Sequence, residues 1–597
     1  MRRGTFWLAL LVAGVLSGVL GDVCRPAIAT AAEPTAAQEP SASDWSNKGF
    51  EFLAGGQFQE AVDAFSKAVE LKPNDGDFRR NRGLVYGKLG DNKRAVEDYS
   101  KAVELNPRDL AAYRNRAFAH SGLGDYKKAV KDFDKVTEMD PKDADAYRNR
   151  AFAYSNLEDY KQAIRDFDKA IELNPKDVAA YRNRAFAYGN LGDHRQAIKD
   201  FDMVAELSAD DGDTYRNRGL AYSNLGDHNQ AIKDFGKAVE LNPKDADAYR
   251  HRGLAHRSIG EDRQAIKDFD RAIGLNSKDT VAFRNRAFAH VKLNDTQQAI
   301  KDFDVVVQLN PNDGDAYRNR GLAYANLGNY KQAIMDFNKA VELNTKDIDA
   351  YRNRGLAYAN LRNYKQAIVD FDSAVALDPK DVASYRSRAF AYGNLDKYQQ
   401  AVKDFDMVAE LDTKDADVYR NRGLAYANLG NLKQAIKDFD TAAERNPKDV
   451  EAYRNRAFAY IKLGDDKQAV ADFDKVIELA PKDVEAHHRR GLAYHRLGDY
   501  RQAIANFDKM AELSPQNSAA YTDRGISYVA LGEYKRALES FNKAVELNPK
   551  DAEARYNRGF SYNTLGKFPR AVEDMKAASK LGHDGAQEFL RKEGITW

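Results

Sequence analysis

Apolar, aromatic or small residues recur along this chain with a fixed beat. Between Ala144 and Asp177 they fall on Tyr147, Ala151 and Tyr154, then on Ala163, Phe167 and Ala170. Steps of four and then three residues mark one face of an α-helix, so the segment predicts two amphipathic helices. Between them stands Leu157-Glu158-Asp159, and at the matching place in most other copies Leu-Gly-Asp or Leu-Gly-Asn. Glycine there supplies a left-handed end to the first helix, and Asp or Asn a cap for the second. The second helix is expected to stop at Asn-Pro, because proline cannot continue the backbone ladder.

This 34-residue unit recurs sixteen times without an insertion, from Ala42 to Gly585. Within each copy, positions 4, 8, 11, 20, 24 and 27 carry the apolar face, and eleven copies place proline at position 32, from Pro73 to Pro549. A fixed period of this length predicts an all-α stacked array with a long surface, not a globule around one pocket. One copy cannot bury its own apolar face, so stability comes from stacking.

Copy one carries the pattern as Trp45, Gly49, Phe52, Ala61, Phe65, Ala68 and Pro73. With the sixteen in-phase copies, it resembles the tetratricopeptide repeat (TPR) family across residues 42–585. The resemblance implies a right-handed superhelical solenoid of sixteen helix-turn-helix repeats. The first helix of each repeat would line a concave groove with positions 2, 5, 6, 9, 12 and 13. Residues 586–597 read as a C-terminal cap: a short helix over Ala586–Lys592, a stop at Gly594, and Ile595 and Trp597 covering the last apolar edge.

The N-terminus is of another kind. Arg2 and Arg3 precede an uncharged apolar run from Phe6 to Leu20, and Ala29-Thr30-Ala31 offers a small-x-small cleavage pattern. Residues 1–31 therefore read as a secretory signal peptide, with an uncleaved anchor as the alternative. The apolar run of about 15 residues is short of the roughly 20 needed to span a bilayer, so no membrane span is expected after cleavage. Residues 32–41 form a Pro/Ala-rich linker. The expected location is secreted or periplasmic, and the style of signal and repeats looks bacterial. Cys24 is the single cysteine and would leave with the signal, so no disulfide is expected. A formal net charge of +1 gives no electrostatic case for nucleic acid or an anionic membrane.

Position 6 is Asn in twelve copies, among them Asn115, Asn149, Asn183, Asn217, Asn285, Asn319 and Asn353. A second Asn often follows seven residues on, as at Asn156 and Asn190. A carboxamide offers donor and acceptor together, which suits the backbone of an extended peptide. This ladder is similar to that in the TPR array of the eukaryotic O-linked N-acetylglucosamine transferase, which holds peptide backbone. That protein's catalytic domain has no counterpart here. The alternative is that Tyr-Arg-Asn-Arg is a favoured helix start amplified by duplication.

Position 5 is Arg in copies two to thirteen, and Asp or Glu stands three residues earlier in all but four. The four are Arg114, Arg182, Arg284 and Arg386, and the same copies carry Phe118, Phe186, Phe288 and Phe390 at position 9. Read as unpaired, these arginines would take acidic side chains and the phenylalanines apolar ones; drift between two ancestral repeat types is the other reading. Position 7 Arg and position 23 Asp suggest ladders of ion pairs between neighbouring repeats, and the recurring Lys-Asp-Phe-Asp segments a solvated face.

Chemistry is absent from the pattern. There is no phosphate loop, no dinucleotide fingerprint and no cysteine cluster. His487, His488 and His495 lie near one another, but a metal needs several ligands converging on one point. Neither enzymatic activity, nor a metal, nor a cofactor is expected. The expected function is a scaffold that binds protein or peptide ligands. The alternatives are a structural component of the cell envelope and a recruiting subunit for an enzyme on another chain.

Overall fold

The computed structural model describes residues 39–597, so the expected signal peptide and most of the linker lie outside the described residues. Each predicted pair of helices forms. In the repeat that begins at Ala144 the first helix spans Ala144–Asn156 and the second Tyr160–Leu173. Among the described residues there are thirty-three α-helices, two per repeat plus one after the last, and no strand. None of these helices is long and apolar enough to cross a membrane.

The turn between the helices follows backbone chemistry. Gly90 and Gly124 both take φ 77°, a conformation that costs glycine nothing. Where glycine is missing, Glu158, Asn294, Arg362 and Asp396 are forced into the same left-handed region at φ 56–62°. The end of the second helix corrects an expectation. Helices followed by Asn-Pro stop at Leu105 or Leu173, and helices followed by Asn-Thr or Asp-Thr stop at the same place, Leu343 and Leu411. What recurs is an Asx turn: Asn106 Oδ1 accepts from the Arg108 amide at 3.1 Å, and Asn344 Oδ1 from the Lys346 amide at 3.1 Å. The side chain diverts the backbone without help from proline.

The chain divides into two compact units, up to Leu309 and from Asn310 onward. Within each, a first helix packs on its own second helix, which packs on the next first helix. Successive first helices also touch: Gly76–Lys88 meets Leu110–Gly122 in the first unit, and Ala416–Asn428 meets Val450–Leu463 in the second. Successive second helices make no contact of that extent. The first helices therefore line the narrower side of each stack.

The core of a repeat is the position 24 ring, fully buried at Phe65, Phe133, Phe167 and their counterparts. It faces position 8, and the two repeat types resolve this contact differently. Where position 8 is glycine the ring closes over it, so that a Cβ on Gly355 would stand 2.7 Å from Phe371. Where position 8 is alanine, position 9 is phenylalanine and meets the core ring edge-on, at 5.6 Å for Phe118–Phe133 and 5.7 Å for Phe390–Phe405.

The closing helix spans Asp584–Lys592 and begins two residues earlier than expected, because the His583 side chain caps it by accepting from the Ala586 amide. Leu590 and Ile595 pack against Met575 and Ala578. Trp597 does not cover the edge; it is 44% exposed.

Candidate functional site

The exposed wall of first helices is held in register by arginine at two levels. At position 7, Arg116 donates from Nε and Nη2 to both oxygens of Asp132 in its own repeat, at 2.8 and 2.7 Å. Arg150 does the same with Asp166 at 2.6 and 2.7 Å, and its Nη1 reaches back 2.8 Å to Asp134 of the repeat before. Each guanidinium also lies over the position 4 ring, as Arg150 does over Tyr147 at 5.3 Å. The expected ladder thus exists but is divided: position 23 pairs within the repeat, and position 25 joins neighbours. The expected solvated Lys-Asp-Phe-Asp face is corrected too, since its first aspartate is buried in repeat after repeat. Position 23 shares a helix face with 20, 24 and 27, so burial follows from the wheel. Burial pushes the Asp166, Asp200 and Asp472 carboxyls above the usual carboxylate range, against the pull of their arginines.

At position 5 the partner is the aspartate that caps the next repeat. Asp177 Oδ1 accepts from the Ala180 amide at 3.0 Å, and its Oδ2 accepts from Arg148 at 2.9 Å. Arg80–Asp109 and Arg250–Asp279 repeat this joint in the first unit at 2.7 and 3.0 Å, and Arg318–Asp347 and Arg420–Asp449 in the second, each at 2.5 Å. The reading of four unpaired arginines is therefore corrected. Arg114 pairs with Asp143, Arg182 with Asp211 and Arg386 with Asp415, while Arg284 is not without a partner either. Sequence pattern missed the link because its ends stand 29 residues apart.

These rungs still differ from the rest. Where an acid precedes it by three residues, the arginine bonds twice: Arg148 to Asp145 at 2.8 Å as well as to Asp177. Arg114 and Arg182 reach only the cap aspartate, through Nη2, and their Nε groups are buried without an acceptor. Their side chains are 37% and 38% exposed, against 28% for Arg148 and 12% for Arg216.

The Asn ladder lies between. Asn115, Asn149, Asn183, Asn285, Asn319 and Asn353 are partly exposed, whereas Asn217 is buried and drops out of the accessible set. Asn149, Asn285 and Asn319 each donate one N–H to the carbonyl four residues back, at 2.6, 2.8 and 2.7 Å. That bond fixes the amide plane and uses one of its donors. Phe118, Phe186 and Phe288 are partly exposed and Phe390 is 46% exposed.

Two features had no signal in the repeat pattern. Arg257 lies over the Phe288 ring at 5.4 Å and donates to Asn285, and Arg489 lies over Phe458 at 5.6 Å. The three neighbouring histidines diverge: His487 meets the Pro481 carbonyl, His488 meets Asp523 at 2.8 Å, and His495 meets Ser527 at 3.0 Å.

Models described as tetratricopeptide repeat match residues 77–109, 110–143, 144–177, 167–199, 212–245, 314–347, 348–381, 416–449 and 484–517. One described as TPR repeat matches 49–90, 459–498 and 525–566, and together these span more than half of the chain. No curated protein matches it. Among solved structures, MamA is 28% identical over 27% of this chain and 95% of its own, with a TM-score of 0.27. A tetratricopeptide repeat protein from Parabacteroides merdae is 23% identical over 42% and 98%, with a TM-score of 0.32. YrrB, described as a TPR protein with an unusual peptide-binding site, is 25% identical over 31% and 96%, with a TM-score of 0.29.

Proposed function

From the premise that this chain belongs to the tetratricopeptide repeat family, and is thus a protein-interaction scaffold in the general sense, we propose that it holds extended protein segments along the wall of its first helices. The observation that supports this is the half-exposed Asn ladder, with amides already oriented by bonds to their own helices. Asn149 and Asn319, held in this way, keep a second N–H and the oxygen for a ligand backbone, whereas the Asn285 oxygen already accepts from Arg257. Each bond is worth only about 0.5–1.5 kcal/mol net, and micromolar affinity needs about 8 kcal/mol. Several consecutive rungs must act together, which suits a disordered segment lying along the stack.

The same reading makes the chain non-catalytic and places it outside the cytoplasm, on the strength of residues 1–31. N-terminal sequencing of the exported protein should begin at Ala32. The binding test is retention of a random library of unstructured 15- to 20-residue peptides on the immobilised protein. Replacing Asn115, Asn149 and Asn183 together by Ala should abolish retention of most peptides while leaving helicity intact. Unchanged retention would show that the ladder does not grip the backbone.

A further inference from the structure

The four arginine–phenylalanine rungs singled out by sequence are not equivalent once the side chains are placed. At the repeat that begins at Thr280, Arg257 already covers Phe288 and donates to Asn285, so the chain itself occupies that rung. Phe390 stands alone, between Leu356 and Leu424 and beside Ser387 in place of the ladder amide. Phe458 lies beneath Arg489. Three consecutive copies, the repeats that begin at Leu110, Ala144 and Val178, all carry the phenylalanine. There Phe118, Phe152 and Phe186 succeed one another, each partly exposed, with Asn115, Asn149 and Asn183 beside them.

The charges of this stretch are arranged symmetrically. The central Arg148 is held by two carboxylates, Asp145 and Asp177. The outer Arg114 and Arg182 each hold one, through Nη2. Ala111 and Ala179, both exposed, stand where the second acid would be. Among the described residues neither Nη1 has an ion-pair partner, whereas both terminal nitrogens of Arg148 are taken, one by Asp145 and one by Asp177. That terminal nitrogen of Arg114 and Arg182 is left to donate to a carboxylate of a ligand.

Building on the groove reading, we infer that the three repeats from Leu110 to Asp211 select extended segments carrying two acidic side chains with apolar residues between them. Adjacent packed helices stand roughly 10 Å apart, so Arg114 and Arg182, two rungs apart, are separated by ~20 Å. An extended chain advances about 3.3 Å per residue, which puts the two acids about six residues apart. The apolar side chains between them lie over the Phe118–Phe152–Phe186 strip, and the amides of the ladder hold the backbone.

The test uses the full chain and two sets of fluorescein-labelled 12-residue peptides. In one set two Asp residues flank a Leu-containing centre at spacings from two to nine; in the other Asn replaces both Asp. Fluorescence anisotropy should show a preference for acids at a spacing of about six, by about tenfold or more over the Asn partner, the range of a charge-assisted bond. The companion variant is Ala111→Asp with Ala179→Asp. It supplies each outer arginine with the second acid that Arg148 already has, at first-turn positions where Asp favours the helix. Its circular dichroism should match the wild type and its preference for acidic peptides should vanish. Equal binding of Asp and Asn peptides, or an acidic preference that survives in the variant, overturns the inference and leaves the groove reading standing. Failure of every peptide in both sets to bind the wild type removes the groove reading with it.

Discussion

The buried pair Arg354–Asp370 offers the sharpest test of how a repeat is held together. Asp370 has no exposed side-chain surface and Arg354 has 15%. Arg354 Nε and Nη2 donate to the two carboxylate oxygens at 2.9 and 2.5 Å, and Nη1 donates to Asn338 of the preceding repeat at 2.8 Å. Asp370→Ala leaves two guanidinium N–H groups facing a void inside the hairpin. Removing one partner of such a pair costs about 3–5 kcal/mol, whereas replacing both by apolar residues is close to neutral. Arg354→Met with Asp370→Leu should therefore be nearly as stable as the wild type. Because stacked repeats open locally, the assay is amide hydrogen exchange within Ile348–Asn360 and Tyr364–Leu377. At about 1.4 kcal/mol per tenfold change, a loss of ~3 kcal/mol speeds exchange there by about a hundredfold. Burial raises the Asp370 carboxyl above its ordinary value. Its contribution to stability is therefore fully present below the unfolded pKa and is lost as pH rises through the folded one. Exchange within about threefold of wild type in Asp370→Ala, or a double variant as damaged as the single, would refute the reasoning.

Three further outcomes follow from other positions. His251 stands at a ladder position against Phe235, and burial, aided by Arg250, pushes its imidazole down to about 4. A depressed folded pKa means stability present above about 6.5 and lost as pH falls towards 4, at most on the order of 3 kcal/mol; exchange in Ala246–Ser258 should speed up over that window and cease to do so in His251→Gln. Gly355→Ala should destabilise by about 1–2 kcal/mol through its clash with Phe371, and adding Leu356→Phe should recover most of that by recreating the other repeat type, as chemical denaturation of the two variants would show. Glu158→Gly, relieving a left-handed glutamate at φ 62°, should raise stability by about 1 kcal/mol in the same assay.

The helix pairs were legible because the apolar period appears in every copy and each turn carries its glycine or its substitute. The burial of position 23 was legible in principle, since Asp132 and Asp166 share the face of Phe133 and Phe167. Aspartate, though, is expected in water unless its partner is already known. The bond from Arg148 to Asp177 was not legible: both residues have sufficient local explanations, one as half of an exposed pair and the other as a cap. Nor was the swing of Arg257 over Phe288, since it depends on a single departure from the repeat that meets its target only across a hairpin.

The double duty of the cap aspartate has a consequence for descent. The residue that opens one hairpin fastens the arginine of the hairpin before it, so the seam between copies is built from the same two parts wherever it recurs. A copy gained or lost by unequal crossing-over in phase leaves an intact seam behind it. The protein can therefore lengthen or shorten over generations in whole steps, each adding or removing one repeat without disturbing the others.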